Sequence, residues 1–213
     1  MEKITKPSSG FLFLFLSLAG ISASIFLFFI GFPAPKILGV PLTLSLIILG
    51  GFFSVDPNQA MVLLLFGEYK GTVKANGFFW VNPFMTRKKI SLRVRNFENK
   101  PLKVNDKIGN PVMIGTIVVW QVKDTFKTSF DVEDYENFVH LQTDAAVRKM
   151  ARLFCYDNFD DNHSEVTLRS GVEEVNHSLE KEIAERLLQA GIKVIEARIS
   201  NLAYAAPTAA QAR

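Results

Sequence analysis

The side chains that most often perform catalysis or bind metals are scarce in this chain. Its 213 residues include one cysteine, Cys155, and three histidines, His140, His163 and His177. No histidine is followed four residues later by another, and none has a cysteine or histidine neighbour at the spacing of zinc ligands. We therefore interpret the histidines as surface or structural residues, and we predict no metal site.

An acidic segment near His163 also has side chains that bind cations. Asp157, Asp160 and Asp161 supply carboxylates, but their order lacks the ligand pattern of a calcium loop. We interpret the segment as a solvated loop between two helices. Cys155 is expected to be packed rather than acylated, because it is far along the chain from the membrane anchor described below. A single cysteine excludes an intrachain disulfide.

Motifs for the common catalytic chemistries are missing. The sequence contains no G-x-S-x-G, H-E-x-x-H, P-loop or G-x-G-x-x-G pattern. The net charge is +3, and basic residues are interleaved with acidic ones instead of forming the concentrated basic face of a nucleic-acid-binding protein. We predict no catalytic residue and no cofactor, and we expect neither an enzyme nor a nucleic-acid-binding protein.

The apolar residues concentrate before Val55. Residues 11–32 contain no charged residue and are long enough to cross a hydrocarbon core, which needs about 20 apolar residues. A cleaved signal peptide would have a shorter apolar region, about 7–15 residues, and a cleavage site with small residues. A buried helix of a soluble protein is less favoured, because the run is hydrophobic on every side. We predict an integral membrane helix.

A second uncharged apolar run covers residues 37–53, with Pro41 near its start. Two interpretations remain: both runs span the bilayer as a hairpin, which we favour, or the second run lies shallow or re-enters. Lys3 and Lys6 place the N-terminus in the cytoplasm by the positive-inside tendency. Two spans would return the following domain to the cytoplasm, whereas one span would place it on the outer side.

Beyond the anchor, the pattern alternates between strands and helices. Residues 89–97 alternate apolar and polar side chains, which is typical of a half-buried strand. Gly191 is expected to end the last helix, and Glu182 and Arg186 are expected to form an i,i+4 ion pair on it. Leu153 and Val172 belong to the apolar stripes of the two helices. These patterns predict an α+β fold with strands at 60–66, 69–74, 89–97, 102–104, 112–122 and 192–199 and helices at 134–154 and 167–190.

Two short segments have both a structural and a membrane interpretation. Arg87-Lys88-Lys89 is expected to begin a solvated strand, although three cations near a bilayer would also attract anionic head groups. Phe78-Phe79-Trp80 is expected to pack in the core, although aromatic side chains are also favoured at membrane interfaces.

The order of these features resembles that of the SPFH (stomatin/prohibitin/flotillin) or band 7 family. The resemblance covers about residues 55–205. It rests on an apolar anchor followed by Val55-Asp56-Pro57-Asn58-Gln59-Ala60, Phe66-Gly67-Glu68-Tyr69, Gly77-Phe78-Phe79-Trp80, Asn82-Pro83-Phe84, Val104-Asn105-Asp106-Lys107, Gly109-Asn110-Pro111-Val112, Val118-Val119-Trp120-Gln121-Val122-Lys123-Asp124 and Gly191-Ile192-Lys193-Val194.

The resemblance implies a non-enzymatic scaffold that forms homo-oligomers on a lipid bilayer and organises membrane microdomains and partner membrane proteins. The alternative that it implies is a regulatory or chaperone-like subunit of a membrane protease. Family members usually continue into a long Ala/Glu-rich coiled-coil helix, and this chain ends where that helix would begin. We therefore expect a tail at 1–10, an anchor at 11–54 with helices about 11–32 and 37–53, an SPFH domain at 55–205, and at 206–213 the start of a truncated helix.

Overall fold

The computed structural model describes residues 2–30, 35–157 and 166–205, with side chains for all of these except 35–39. Five helices lie in this part of the chain: α1 (Gly10–Phe29), α2 (Pro35–Leu49), α3 (Thr125–Phe130), α4 (Tyr135–Ala151) and α5 (Val172–Leu188). Its ten strands are β1 (Ser8–Ser9), β2 (Phe52–Val55), β3 (Gln59–Leu65), β4 (Glu68–Val73), β5 (Gly77–Trp80), β6 (Met85–Ser91), β7 (Arg95–Glu98), β8 (Leu102–Asn105), β9 (Pro111–Val122) and β10 (Ile192–Tyr204).

Internal contacts divide the chain into an N-terminal unit, Met1–Leu92, and a C-terminal unit, Arg93–Arg213. The boundary falls inside the segment predicted as one SPFH domain at 55–205. The N-terminal unit contains the two apolar helices and six strands, in two antiparallel three-stranded sheets ordered β1-β5-β2 and β4-β3-β6. Its buried core comprises Phe53, Val55, Met61, Leu63, Val73 and Val81.

The C-terminal unit is built around β9, its central strand. β9 pairs antiparallel with β10 along one edge and with β7 and β8 along the other. Helix α5 packs on β10 and α4 packs on α5. The apolar stripe of α5 explains this arrangement, since Val175, Leu179, Ile183 and Leu187 are all buried. The architecture is therefore α+β with antiparallel sheets, as the sequence predicted.

Several local predictions are confirmed. The turn after Asp106 joins the antiparallel strands β8 and β9. Gly191 has a φ of +72°, and a side chain there would collide with the backbone of Asp124, so only glycine fits this turn after α5. Glu182 and Arg186 form the expected ion pair at 2.7 Å.

The strand predicted at residues 89–97 is wrong, because the segment divides into β6, which pairs with β3, and β7, which pairs with β9. The alternation ends where the Leu92 amide donates to the Asn58 carbonyl, and Val94 is 55% exposed. Leu153 and Val172 are also exposed: Leu153 lies beyond the end of α4, and Val172 is the first residue of α5.

Helix boundaries also differ from the prediction. The second apolar helix ends at Leu49 instead of residue 53, because Phe52 and Phe53 enter β2 and pair with Trp80 and Phe79 of β5. The first helix ends at Phe29, and residues 31–34 lie outside the described part of the chain, as do 206–213. Helix α3 was not predicted. Its signal is the capping residue Asp124, whose carboxylate accepts from two amides of the first turn.

Asp106 organises the turn between β8 and β9. It is buried, and one carboxylate oxygen accepts from the amides of Ile108, Gly109 and Asn110 at 2.7–3.0 Å. The other oxygen accepts from the Tyr156 amide at 3.1 Å, which ties the turn to the segment after α4. Burial by itself raises the pKa of Asp106, but the hydrogen bonds from Tyr156, Asn110 and Gly109 outweigh it and lower the pKa below its ordinary value.

We predict that Asp106→Asn destabilises the full-length chain in detergent by about 1–3 kcal/mol, because an amide cannot accept from all of these donors. A carboxylate whose pKa is lowered by folding stabilises the protein above its ordinary value of 3.8, and this contribution disappears as the pH falls through the lower folded value. The difference from wild type should therefore shrink in acid. Chemical denaturation at neutral and acidic pH measures both effects. The matched control is Asp131→Asn at an exposed position; an equal loss there would contradict the prediction.

Candidate membrane anchor

In helix α1 the buried side is lined by small residues and the exposed side by large apolar residues, the reverse of a helix in a soluble protein. Its buried positions are small: Gly10, Ser17 and Ser24. Most of its large apolar side chains are exposed by half or more, namely Phe11, Leu12, Phe15, Leu16, Leu18, Ile25, Phe26, Phe28 and Phe29. Soluble proteins bury such residues and rarely leave contiguous apolar patches exposed. Small residues inside and large apolar residues outside are typical of helices that pack within lipid.

Helices α1 and α2 pack against each other through small residues. Ser45 of α2 is 3% exposed, and its hydroxyl lies where a β-carbon at Gly20 of α1 would be, so a larger side chain at Gly20 would hold the helices apart. The hydroxyls of Ser17, Ser24 and Ser45 donate to carbonyls three or four residues earlier at 2.7–2.9 Å. Each buried hydroxyl therefore has a partner within its own helix, as a lipid environment requires.

Trp80 of β5 joins the two helices at their base. Its ring stacks on Phe13 in the first turn of α1, with centroids 3.8 Å apart, and its Nε1–H donates to the carbonyl of Ile48 near the end of α2 at 2.8 Å. The start of α1 and the end of α2 therefore lie together, as in a hairpin. Side chains of β5 alternate: Phe78 stacks on Phe52, whereas Phe79 packs into the core.

Arg87 of β6 binds the chain just beyond α2. Its guanidinium donates to the carbonyls of Gly50 and Phe52, each at 2.8 Å, and lies 6.0 Å from the centre of the Phe53 ring. A cation here offsets the partial negative charge of a helix C-terminus, and charge-assisted hydrogen bonds are stronger than neutral ones. Of the basic cluster considered for head-group binding, Arg87 thus contacts the anchor itself, while Lys89 pairs with Asp56 at 3.0 Å.

The N-terminal tail is part of the fold, which the sequence did not indicate. Ser8 and Ser9 form β1 and pair with Trp80 and Phe79 of β5. Upstream, the tail runs along β4: the amide of Thr72 donates to the carbonyl of Lys3 at 2.7 Å, and the amide of Thr5 donates to the carbonyl of Thr72 at 3.0 Å. Lys74 and Glu2 add an ion pair at 2.8 Å. The tail before α1 and the strands after α2 are therefore joined by backbone hydrogen bonds.

The residues first considered for metal chemistry are not brought together. His140 is exposed on α4 with its ring 4.1 Å from that of Phe97, and His177 is exposed on α5. Cys155 is half-buried, as is Asp157, which pairs with Arg169 at 2.8 Å. Among the described residues, no group of three or more His, Cys, Asp or Glu side chains is placed to hold a metal ion. Asp160, Asp161 and His163 lie outside the described residues.

A recess of about 380 Å³ beside β7 is lined by charged and aromatic side chains. Arg95, which lines the recess, is ion-paired with Glu136. Its guanidinium lies 5.7 Å from the centre of the Trp120 ring and 5.9 Å from that of the Tyr135 ring. Burial raises the pKa of the Tyr135 hydroxyl, and the adjacent Glu136 adds to this, although Arg95 opposes it. These side chains stabilise one another, which is typical of a structural cluster.

The comparison with protein families decides the identity of the fold. A family model described as SPFH domain / Band 7 family matches residues 53–212. This chain belongs to the SPFH/band 7 family. The match begins in β2, directly after the apolar helices, and includes β2 to β10. A comparison with curated proteins gave no match.

SPFH proteins are generally membrane-associated, non-enzymatic scaffolds, and the apolar N-terminus of this SPFH protein fits that description. Helix α1 has a mean hydropathy of 2.4, with only 11% of its most apolar stretch buried, and is long enough to cross a membrane. The apolar part of α2 that carries described side chains, Val40–Leu49, is shorter. All 15 residues of α2 would extend only about 22 Å at 1.5 Å per residue.

We predict that Gly20→Leu destabilises the SPFH protein in detergent by about 1–3 kcal/mol, because the added side chain has to displace Ser45 and separate α1 from α2. Ala19→Leu is the matched control, since it introduces the same side chain at the adjacent, exposed position and should leave stability nearly unchanged. Thermal unfolding followed by tryptophan fluorescence measures both variants. Equal effects of the two substitutions would argue against a packed hairpin.

Proposed function

We propose that this protein is a membrane-anchored oligomeric scaffold that holds partner membrane proteins in a patch of bilayer. The observation that carries the proposal is the distribution of side chains on α1 and α2. Small residues fill the contact between the helices, and large apolar residues cover the rest of their surface. This surface is stable in lipid and would aggregate in water.

The connection between the anchor and the SPFH domain supports a hairpin. The tail before α1 pairs with β4 and β5, so both ends of the α1–α2 segment are attached to the same sheets. Hydrogen-bonded strands cannot be separated by a hydrocarbon core, where unpaired backbone groups are costly. We therefore propose that the tail and the SPFH domain lie on the same face of the membrane, with Lys3 and Lys6 favouring the cytoplasmic face.

A shallow hairpin satisfies the same argument as a spanning one. In both cases the chain leaves and returns through one face, and the limited length of α2 determines only how deep the hairpin reaches. On this proposal the domain and the tail lie on the same side of the membrane, whether the second apolar run spans the bilayer or lies shallow. Single-span export of the domain would require the tail to detach from β4 and β5.

Membrane integration and self-association are tested together by fractionation and sizing. We expect the intact protein to resist extraction with high salt and alkali, to dissolve in mild detergent, and to migrate as a large homo-oligomer. Recovery in the soluble fraction without detergent would refute the anchor. Co-purification of a membrane protease in fixed stoichiometry would instead favour the regulatory-subunit function.

Topology is tested with single-cysteine variants in a Cys155→Ser background. Lys6→Cys reports on the tail, and Ala75→Cys, in the turn after β4, reports on the SPFH domain; both positions are exposed. A membrane-impermeant maleimide applied to intact cells should leave both cysteines unlabelled, and permeabilisation should expose both. Labelling of only one position in intact cells would contradict a hairpin.

A further inference from the structure

Phe66 occupies a backbone position that does not suit it. It is the first of the two residues that connect β3 to β4, where Leu65 pairs with Glu68 across the turn. Phe66 has a φ of +51° and Gly67 a φ of +88°, as in a type I′ turn. Asparagine, aspartate and glycine are preferred where φ is positive, and a bulky side chain is strained there.

The strain is not offset by burial, because the Phe66 side chain is 86% exposed. Its ring stacks on that of Phe84, with centroids 6.4 Å apart, and Phe84 is itself 65% exposed. A position that breaks a local rule without a compensating contact inside the fold indicates a function. The exposed apolar surface of the two phenylalanines is also unfavourable in water, and its transfer to an apolar environment would be favourable.

Two hydrogen bonds to Asn82 stabilise the turn that carries Phe84. The side-chain oxygen of Asn82 accepts from the Phe84 amide, and its backbone carbonyl accepts from the Met85 amide, each at 3.0 Å. Leu65 pairs with Met85 in the β3–β6 ladder, so both aromatic turns lie at the same end of this sheet. The two phenylalanines are therefore presented by fixed backbone.

This end of the sheet lies beside the end of the anchor. Pro83, next to Phe84, lies beside Gly50, the first residue after α2: a β-carbon added at Gly50 would be 3.4 Å from the β-carbon of Pro83. On the same strand as Met85, Arg87 binds the carbonyls of Gly50 and Phe52. The Phe66–Phe84 pair therefore lies close to the end of the exposed apolar surface of the hairpin.

We propose that Phe66 and Phe84 form a second membrane contact, inserted into the boundary between head groups and acyl chains of the leaflet through which the hairpin enters. Aromatic side chains are favoured at this depth. The contact fixes the tilt of the N-terminal sheets against the bilayer, because it adds a point of attachment away from the helix axis. The inference rests on the proposed membrane anchor, and we commit to lipid as the occupant because the pair adjoins the apolar surface of that anchor.

Depth-dependent quenching tests the contact in the full-length protein reconstituted into phosphatidylcholine vesicles. Single cysteines carry an environment-sensitive fluorophore in the Cys155→Ser background. Phe66→Cys and Phe84→Cys report on the proposed contact, Leu18→Cys on the exposed face of α1, and Ala75→Cys on the opposite end of β4. Quenchers attached to the lipid at shallow or deep positions are compared with a water-soluble quencher.

We expect shallow lipid quenchers to reduce the fluorescence of labels at positions 66 and 84, deep ones to reduce that of the label at position 18, and only the soluble quencher to act at position 75. If position 18 responds to lipid quenchers but 66 and 84 behave like 75, the second contact is refuted and the anchor stands. If position 18 also fails to respond, the anchor and the contact both fall. Protection of 66 and 84 from the soluble quencher without lipid quenching would indicate contact with another copy of the chain, and would overturn the proposal.

Phe66→Asn separates a membrane role from a structural one. Asparagine suits the positive φ of this turn, so the melting temperature in detergent should stay equal or rise. Lipid quenching of a label on Phe84→Cys should nevertheless weaken, because Phe66, the remaining phenylalanine of the pair, is gone. A lower melting temperature with unchanged quenching would assign Phe66 to the fold alone and refute the inference.

Discussion

The structure of the N-terminal unit depends on how the backbone is hydrogen-bonded where an apolar helix ends. The last carbonyls of a helix have no partner within it, and at a membrane surface they lie where water is depleted. Two side chains donate to carbonyls around the end of α2: Trp80 binds the carbonyl of Ile48, which also accepts from the Gly51 amide, and Arg87 binds those of Gly50 and Phe52. Both come from strands of the SPFH domain, so side chains of the domain stabilise the end of α2.

The same junction explains why the tail is ordered. Trp80 pairs with Ser8 on one side of β5 and with Phe52 on the other, while its ring stacks on Phe13. One residue therefore contacts the tail, α1, α2 and β2. With both ends of the hairpin fixed to one strand, the small-residue contact between α1 and α2 has little freedom to slide. β5 thereby joins the residues on both sides of the two apolar helices.

The C-terminal unit is stabilised by burial of apolar side chains and by backbone hydrogen bonds to a carboxylate. The apolar stripe of α5 covers the central sheet, and the buried carboxylate of Asp106 satisfies four backbone amides. Two charged groups of this unit are paired with neighbours: Arg95 is ion-paired with Glu136 and lies near two aromatic rings, and Asp157 is paired with Arg169. Such paired groups are typical of interactions that stabilise a fold.

The sequence by itself determined the elements whose signal is local. A run of apolar residues is rejected by water whatever surrounds it, so α1 was predicted from composition. A short apolar run between turns placed β3, a long β-rich run placed β9, and apolar residues every three or four positions placed α5, each within a few residues. The turn glycine Gly191 and the Glu182–Arg186 pair were also local. Tertiary structure decided what depends on distant partners. The division of residues 89–97, the end of α2 at Leu49 and the pairing of the tail with β5 each depend on which strand supplies the hydrogen bonds, and no short segment encodes that choice. Phe66 and Phe84 are 18 residues apart in the sequence, and only the register of β3 against β6 brings them together.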